Sequence, residues 1–136
     1  MITAIVCTAL LAGLLWVLSI RCSMQRGKAE NQMPTRTDDP LFVAMRAHGN
    51  AAENIPMLCI LMLIVGFGNP AIWMLALMVI VTAARYAHAI GIIRTADMAK
   101  ESPLRLSGAV ATTLGGLGLA VAAVVVAAHV AAEVAA

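Results

Sequence analysis

Apolar positions in this chain do not alternate with polar ones. They run together in four long blocks separated by short polar stretches. The first block, Ile2 to Ile20, carries no charge. The others run from about Leu41 to Phe67, Ala71 to Ile93 and Leu104 to Val130. Each is close to or beyond the ~20 residues that a helix needs to cross a bilayer. The pattern predicts helices over about 2–24, 41–67, 71–94 and 104–132, forming one domain over 1–136. The predicted fold is all-α, an integral membrane four-helix bundle of up-down topology. Gly68-Asn69-Pro70 reads as the turn before the third helix and Pro103 as the start of the fourth, since proline suits a first helical position.

The polar stretches set the orientation. Arg21, Arg26, Lys28 and Arg36 belong to the first loop and its edges, and Arg94, Lys100 and Arg105 to the third. The turn at Gly66 to Pro70 has no Lys or Arg. Positive charge stays on the cytoplasmic side, so loops one and three are expected there, with both termini outside. A secretory signal has its charge before the apolar run. Here the charge follows, beginning at Arg21, which reads as a retained helix.

Composition sharpens the picture. The chain is 62% hydrophobic and 12% charged, with a mean hydropathy of +0.92. Soluble domains average about 45–50% apolar and about 25% charged residues, so the excess points to lipid. A net charge of +2 and 4% aromatics argue against a nucleic-acid partner. Cys7, Cys22 and Cys59 read as small hydrophobes rather than disulfides or ligands, and no metal site is expected. Glycines gather in the last helix, at Gly108, Gly115, Gly116 and Gly118. Small residues let membrane helices approach closely, either within the chain or between subunits.

Polar groups inside spanning helices are expensive and mark function. The second helix has Arg46, His48, Asn50, Glu53 and Asn54; the third has Arg85, Tyr86 and His88; Arg105 opens the fourth. At about 100° per residue, Arg46, Asn50 and Glu53 share one face, and Arg85 and His88 share another. An up-down bundle puts both faces at similar depth. The set lacks the clustered carboxylates or thiolates of a metal site and any nucleophile–base constellation. It suits a zwitterion with several carboxylates and an amine. Arginine forks match carboxylates, Glu53 can take an ammonium, and a tripeptide spans at most ~10 Å, about the length of the stripe. The plainer reading is a buried network in which Arg46, Glu53 and Arg85 neutralise one another.

The segment Arg46-Ala47-His48-Gly49-Asn50-Ala51-Ala52-Glu53-Asn54-Ile55-Pro56 resembles the signature of the MAPEG family, the membrane-associated proteins in eicosanoid and glutathione metabolism. Arg85-Tyr86-Ala87-His88 and Leu104-Arg105-Leu106-Ser107-Gly108 resemble its third- and fourth-helix motifs. The resemblance implies a homotrimer that binds glutathione as cosubstrate between subunits. It assigns Arg46, Asn50, Glu53, Arg85 and His88 to glutathione, and Arg105 to the thiolate, where a cation lowers the thiol pKa. Ser107 lies near a hydroxyl position of some members. Arg21 and Arg26 both compete for a first-helix arginine. The short form resembles members of the bacterial inner membrane. Asn54 and Ile92 stand where some members carry tyrosine, Gly49 where one branch has arginine, and the third loop is longer than in the animal enzymes.

The resemblance implies a glutathione transferase or peroxidase acting on lipophilic electrophiles or lipid hydroperoxides drawn from the membrane lipids. A non-catalytic lipid- or glutathione-binding protein of the same fold is a second reading. A small proton-coupled exporter centred on Glu53 is a third, disfavoured because Arg46 and Arg85 would keep the carboxylate ionised.

The orientation is testable with single cysteines in a background where Cys7, Cys22 and Cys59 are alanine. In right-side-out vesicles, a membrane-impermeant maleimide should label Asn69→Cys, and should label Asn31→Cys and Ala99→Cys only after permeabilisation. The opposite labelling would invert the topology.

Overall fold

A computed structural model describes residues 1–135. It contains four helices, α1 (Ile2–Arg26), α2 (Pro40–Phe67), α3 (Ile72–Ile93) and α4 (Pro103–Ala135), and no strand among the described residues. All four are long and apolar enough to cross a membrane. α1 continues two residues past the expected end, to Arg26, where the Gln32 side-chain amide donates to the carbonyls of Arg26 and Ala29. α2 begins at Pro40 behind Asp39, whose carboxylate accepts the Leu41 amide at 2.7 Å. That is an N-cap followed by proline in the first turn. Between α2 and α3, Asn69 takes a left-handed φ of 54°, a conformation asparagine tolerates better than most residues.

Each helix buries a stripe at spacings of three and four, widened on α3 by Thr82, Ala84, Ala89 and Gly91. On α1 it is Ala4, Cys7, Leu11, Leu14, Leu18 and Cys22; on α2, Ala47, Ala51, Ile55, Leu58, Met62 and Val65. On α3 it is Met74, Met78, Val81, Arg85, His88 and Ile92; on α4, Gly108, Thr112, Gly115, Leu119, Ala122 and Val126. This is the pattern of helices packed at shallow angles. The outer faces are equally apolar, with Ile5, Leu10, Val17, Ile60, Ile64, Val79, Ile80, Leu117 and Val124 exposed, as lipid requires. Trp16 and Trp73 also lie on that outer surface, and all three cysteines are free.

α1 packs mainly on α2, and α3 mainly on α4. α2 also meets α3 and α4, and α1 meets α3, whereas α1 and α4 do not touch among the described residues. α2 and α3 therefore form the centre of the bundle. The Tyr86 hydroxyl donates to the Leu10 carbonyl at 2.9 Å, tying α3 to α1.

The α3–α4 contact depends on two glycines. A Cβ at Gly108 would sit 2.6 Å from the His88 nitrogen and 2.8 Å from its Cα. A Cβ at Gly91 would sit 2.6 Å from the Arg105 nitrogen and 2.8 Å from its Cα. Backbone meets backbone at both points, so no side-chain rotation can make room. Farther along, Gly115 receives Val81 and Gly118 receives Leu77.

The loops at the Arg-rich end clasp each other. The Thr37 hydroxyl donates to Asp97 at 2.6 Å, and the Met98 amide donates to the Thr37 carbonyl at 2.9 Å. The Thr37 hydroxyl, with help from the Ala99 amide, holds the Asp97 carboxyl below the usual carboxylate range.

Two expectations follow. Gly108→Ala should lower stability in detergent by about 1–3 kcal/mol, the usual range for overpacking. Gly13→Ala, where an added Cβ meets nothing within 4 Å, should not. Equal melting temperatures for the two variants would contradict the close crossing. For the clasp, a depressed carboxyl pKa gives a contribution present above the unfolded value of about 3.9 and lost as pH falls through the lower native one. Hydrogen exchange in loop three should therefore accelerate in Asp97→Ala at neutral pH, and in the unaltered protein only under strong acid. Unchanged exchange in the variant would show that the clasp holds nothing.

Candidate functional site

A cavity of about 570 Å³ opens where α2, α3, α4 and loop three (94–102) converge. Arg46 and Asn50 line it from α2, His88 and Ile92 from α3, and Arg105, Leu106 and Ala109 from α4. Met98, Glu101 and Ser102 close it from the loop. Its size lies within the usual range for small-molecule sites, about 300–1,000 Å³.

The α3–α4 crossing fixes two of these groups. Gly91 and Gly108 bring the backbones into contact, and across that contact His88 Nδ1 lies 2.7 Å from the Arg105 carbonyl. A carbonyl only accepts, so Nδ1 carries the proton and neutral His88 keeps its lone pair on Nε2. Arg105 is half-buried. Its Nη1 donates to the Met98 carbonyl at 3.2 Å and its Nη2 to the Lys100 carbonyl at 3.0 Å. Both acceptors are neutral, so Arg105 shapes loop three and makes no ion pair among the described residues. The Ser102 hydroxyl accepts the Arg105 amide at 3.4 Å at the start of α4.

Behind the α2 wall lies Arg85, 2% exposed. Its Nη2 donates to Asn50 Oδ1 at 2.9 Å and to the Asn50 carbonyl at 3.3 Å. The same carbonyl accepts from the Asn54 side chain at 2.8 Å. Arg85 Nε is buried without a partner. Among the described residues the one ion pair is Arg36–Asp38, on the surface of loop one. Arg46, Glu53 and Arg85 thus do not neutralise one another, and the plainer reading of them as a salt-bridged network fails.

Of the residues singled out from sequence, Arg46, Asn50, His88 and Arg105 share the cavity. Arg85 touches it only through Asn50. Glu53 lies exposed on the outer face of α2, and Arg26 lies exposed at the end of α1. Arg21 is half-buried with a buried, unpartnered Nε. Ser107 is exposed and donates to the Leu104 carbonyl at 3.2 Å within its own helix. Sequence reasoning missed the loop's contribution, Glu101 above all. Glu101 is the only carboxylate in the lining. The available signal was positional, since a loop joining two closely packed helices has to fold back over their junction. No group of metal-ligating side chains occurs among the described residues.

No curated protein and no solved structure matches the chain. The model of one family, described as the MAPEG family, matches residues 4–125. With that match running through all four membrane-length helices and every wall of the cavity, the chain belongs to the MAPEG family of integral membrane proteins, which includes glutathione transferases.

Proposed function

We propose that the cavity binds glutathione and that the protein uses it to conjugate lipophilic electrophiles or to reduce lipid hydroperoxides. The observation that carries this reading is the convergence of Arg46, Asn50, His88 and Arg105, from three helices, on one cavity of about 570 Å³. Arginine and amide donors, with Glu101 and the His88 lone pair as acceptors, match a molecule with carboxylates and an ammonium. Ile92, Leu106 and Ala109 add an apolar wall beside which a lipid-soluble substrate can lie.

Arg105 carries the chemistry in this reading. It makes no ion pair among the described residues, and a cation beside a thiol favours the thiolate. The thiol proton leaves through the polar mouth of the cavity. In conjugation, sulfur attacks an electrophilic carbon, a carbon–sulfur bond forms, and the leaving group departs with its electron pair. In peroxide reduction, two glutathiones give up two electrons and become one disulfide, while the hydroperoxide becomes an alcohol and water. The trimer belongs to the same proposal. Glu53 is an exposed carboxylate on a spanning helix, costly against lipid, and a neighbouring copy would cover it and bring it to the ligand. The mouth then faces the cytoplasm of a bacterial inner membrane.

A second reading, binding without chemistry, has one observation in its favour. Ile92 lines the cavity where some members carry tyrosine, so that wall offers no hydroxyl.

Ultraviolet difference absorbance separates the two. The purified protein titrated with glutathione at neutral pH should develop a thiolate band. Arg105→Ala should lose the band and, on the scale of removing one preorganised charge-stabilising donor, about 10²-fold in turnover. Arg105→Lys should retain part of both. Tight glutathione binding with no thiolate band in the unaltered protein would favour the second reading.

A further inference from the structure

We infer that Arg85 is a positioning residue acting through Asn50: by occupying the amide oxygen, it turns the Asn50 N–H donors toward the cavity, where they receive a carboxylate of the ligand. The inference rests on the glutathione reading above.

A guanidinium has donors and no acceptor. The Asn50 atom 2.9 Å from Arg85 Nη2 therefore has to be the oxygen, because a flipped amide would set donor against donor. The second bond, to the Asn50 backbone carbonyl, holds the guanidinium across one residue. With Oδ1 turned to Arg85, the half-buried Asn50 keeps its Nδ2 hydrogens, which donate to no group among the described residues. Asn50 is part of the cavity wall and Arg85 is not. An asparagine free to turn could offer either end of its amide. This one holds its oxygen on Arg85 and leaves its donors free.

The cation behind the amide adds direction. Arg85 is buried with no carboxylate partner among the described residues, an expensive state for a charge. A hydrogen bond from Arg85 to Oδ1 polarises the amide and strengthens its N–H groups as donors. A ligand carboxylate on those donors also supplies the negative charge that Arg85 lacks. Arg46, one helical turn before Asn50, lines the same cavity and selects for the same group. The pair therefore distinguishes a carboxylate from a carboxamide of nearly equal shape.

Isothermal titration of the detergent-purified protein with glutathione and each of its two mono-carboxamides tests this. The unaltered protein should prefer glutathione over one carboxamide by about tenfold or more, the scale of one charge-assisted hydrogen bond. In Arg85→Met the amide is free to flip and accept from the carboxamide, so that preference should fall toward one. In Asn50→Asp the new carboxylate pairs with Arg85, which preserves the packing, and shows an oxygen to the cavity, so the preference should reverse. If Arg85→Met weakens all three ligands in the same ratio, or if the preference survives in both variants, Arg85 is merely structural and the proposal is overturned while the glutathione reading stands. An unaltered protein that binds the three equally also overturns the proposal alone. One that binds none of them overturns both.

Discussion

Where α3 and α4 cross, backbone touches backbone, and the positions of His88 and Arg105 in the cavity follow from that contact. Gly91 lies against Arg105 and Gly108 against His88. Without side chains there, the Arg105 carbonyl comes within 2.7 Å of His88 Nδ1, which fixes the imidazole tautomer. The Arg105 side chain then reaches back to the carbonyls of Met98 and Lys100 and draws loop three over the junction. In lipid no hydrophobic force drives helices together, and close packing has to supply the association. Glycine at a crossing therefore serves association and site geometry at once.

The second feature of the molecule is its handling of charge. Among the described residues, none of the arginines at or beside the cavity forms an ion pair. Arg85 rests on an amide oxygen and a backbone carbonyl, and Arg105 on two backbone carbonyls. Neutral acceptors satisfy donors without cancelling charge, and the carboxylate of Glu101 lines the same cavity. Such an arrangement gives up stability that an ion pair or an apolar core could offer. The intramembrane threonines show the contrast: Thr82 and Thr112 donate to carbonyls one turn back, at Met78 and Gly108, and ask nothing of a neighbour.

Loop three joins these two features to the rest of the protein. It closes the cavity through Met98, Glu101 and Ser102, is pinned from α4 by Arg105, and is pinned from loop one by Thr37. The clasp depends on an ionised Asp97, which ties the shape of the cavity mouth to a group outside the membrane.

The sequence by itself determined the number of helices, their approximate ends and their class. Uninterrupted apolar runs of membrane length admit few other structures, because every backbone polar group in lipid has to be satisfied within its own segment. It also placed Arg46 and Asn50 on one face, and Arg85 and His88 on another, because helical periodicity is local. It could not say which face of each helix turns inward. The helices are apolar all round, and a pattern that is hydrophobic on every side carries no directional signal. Only the tertiary structure decided that Arg85 and His88 fall in the buried stripe of α3 while Glu53 faces outward, that Arg85 lies behind Asn50, and that Glu101 joins the cavity. Those outcomes depend on how the helices pack against one another, at Gly91 and Gly108 among other places, a relation between segments that no single segment encodes.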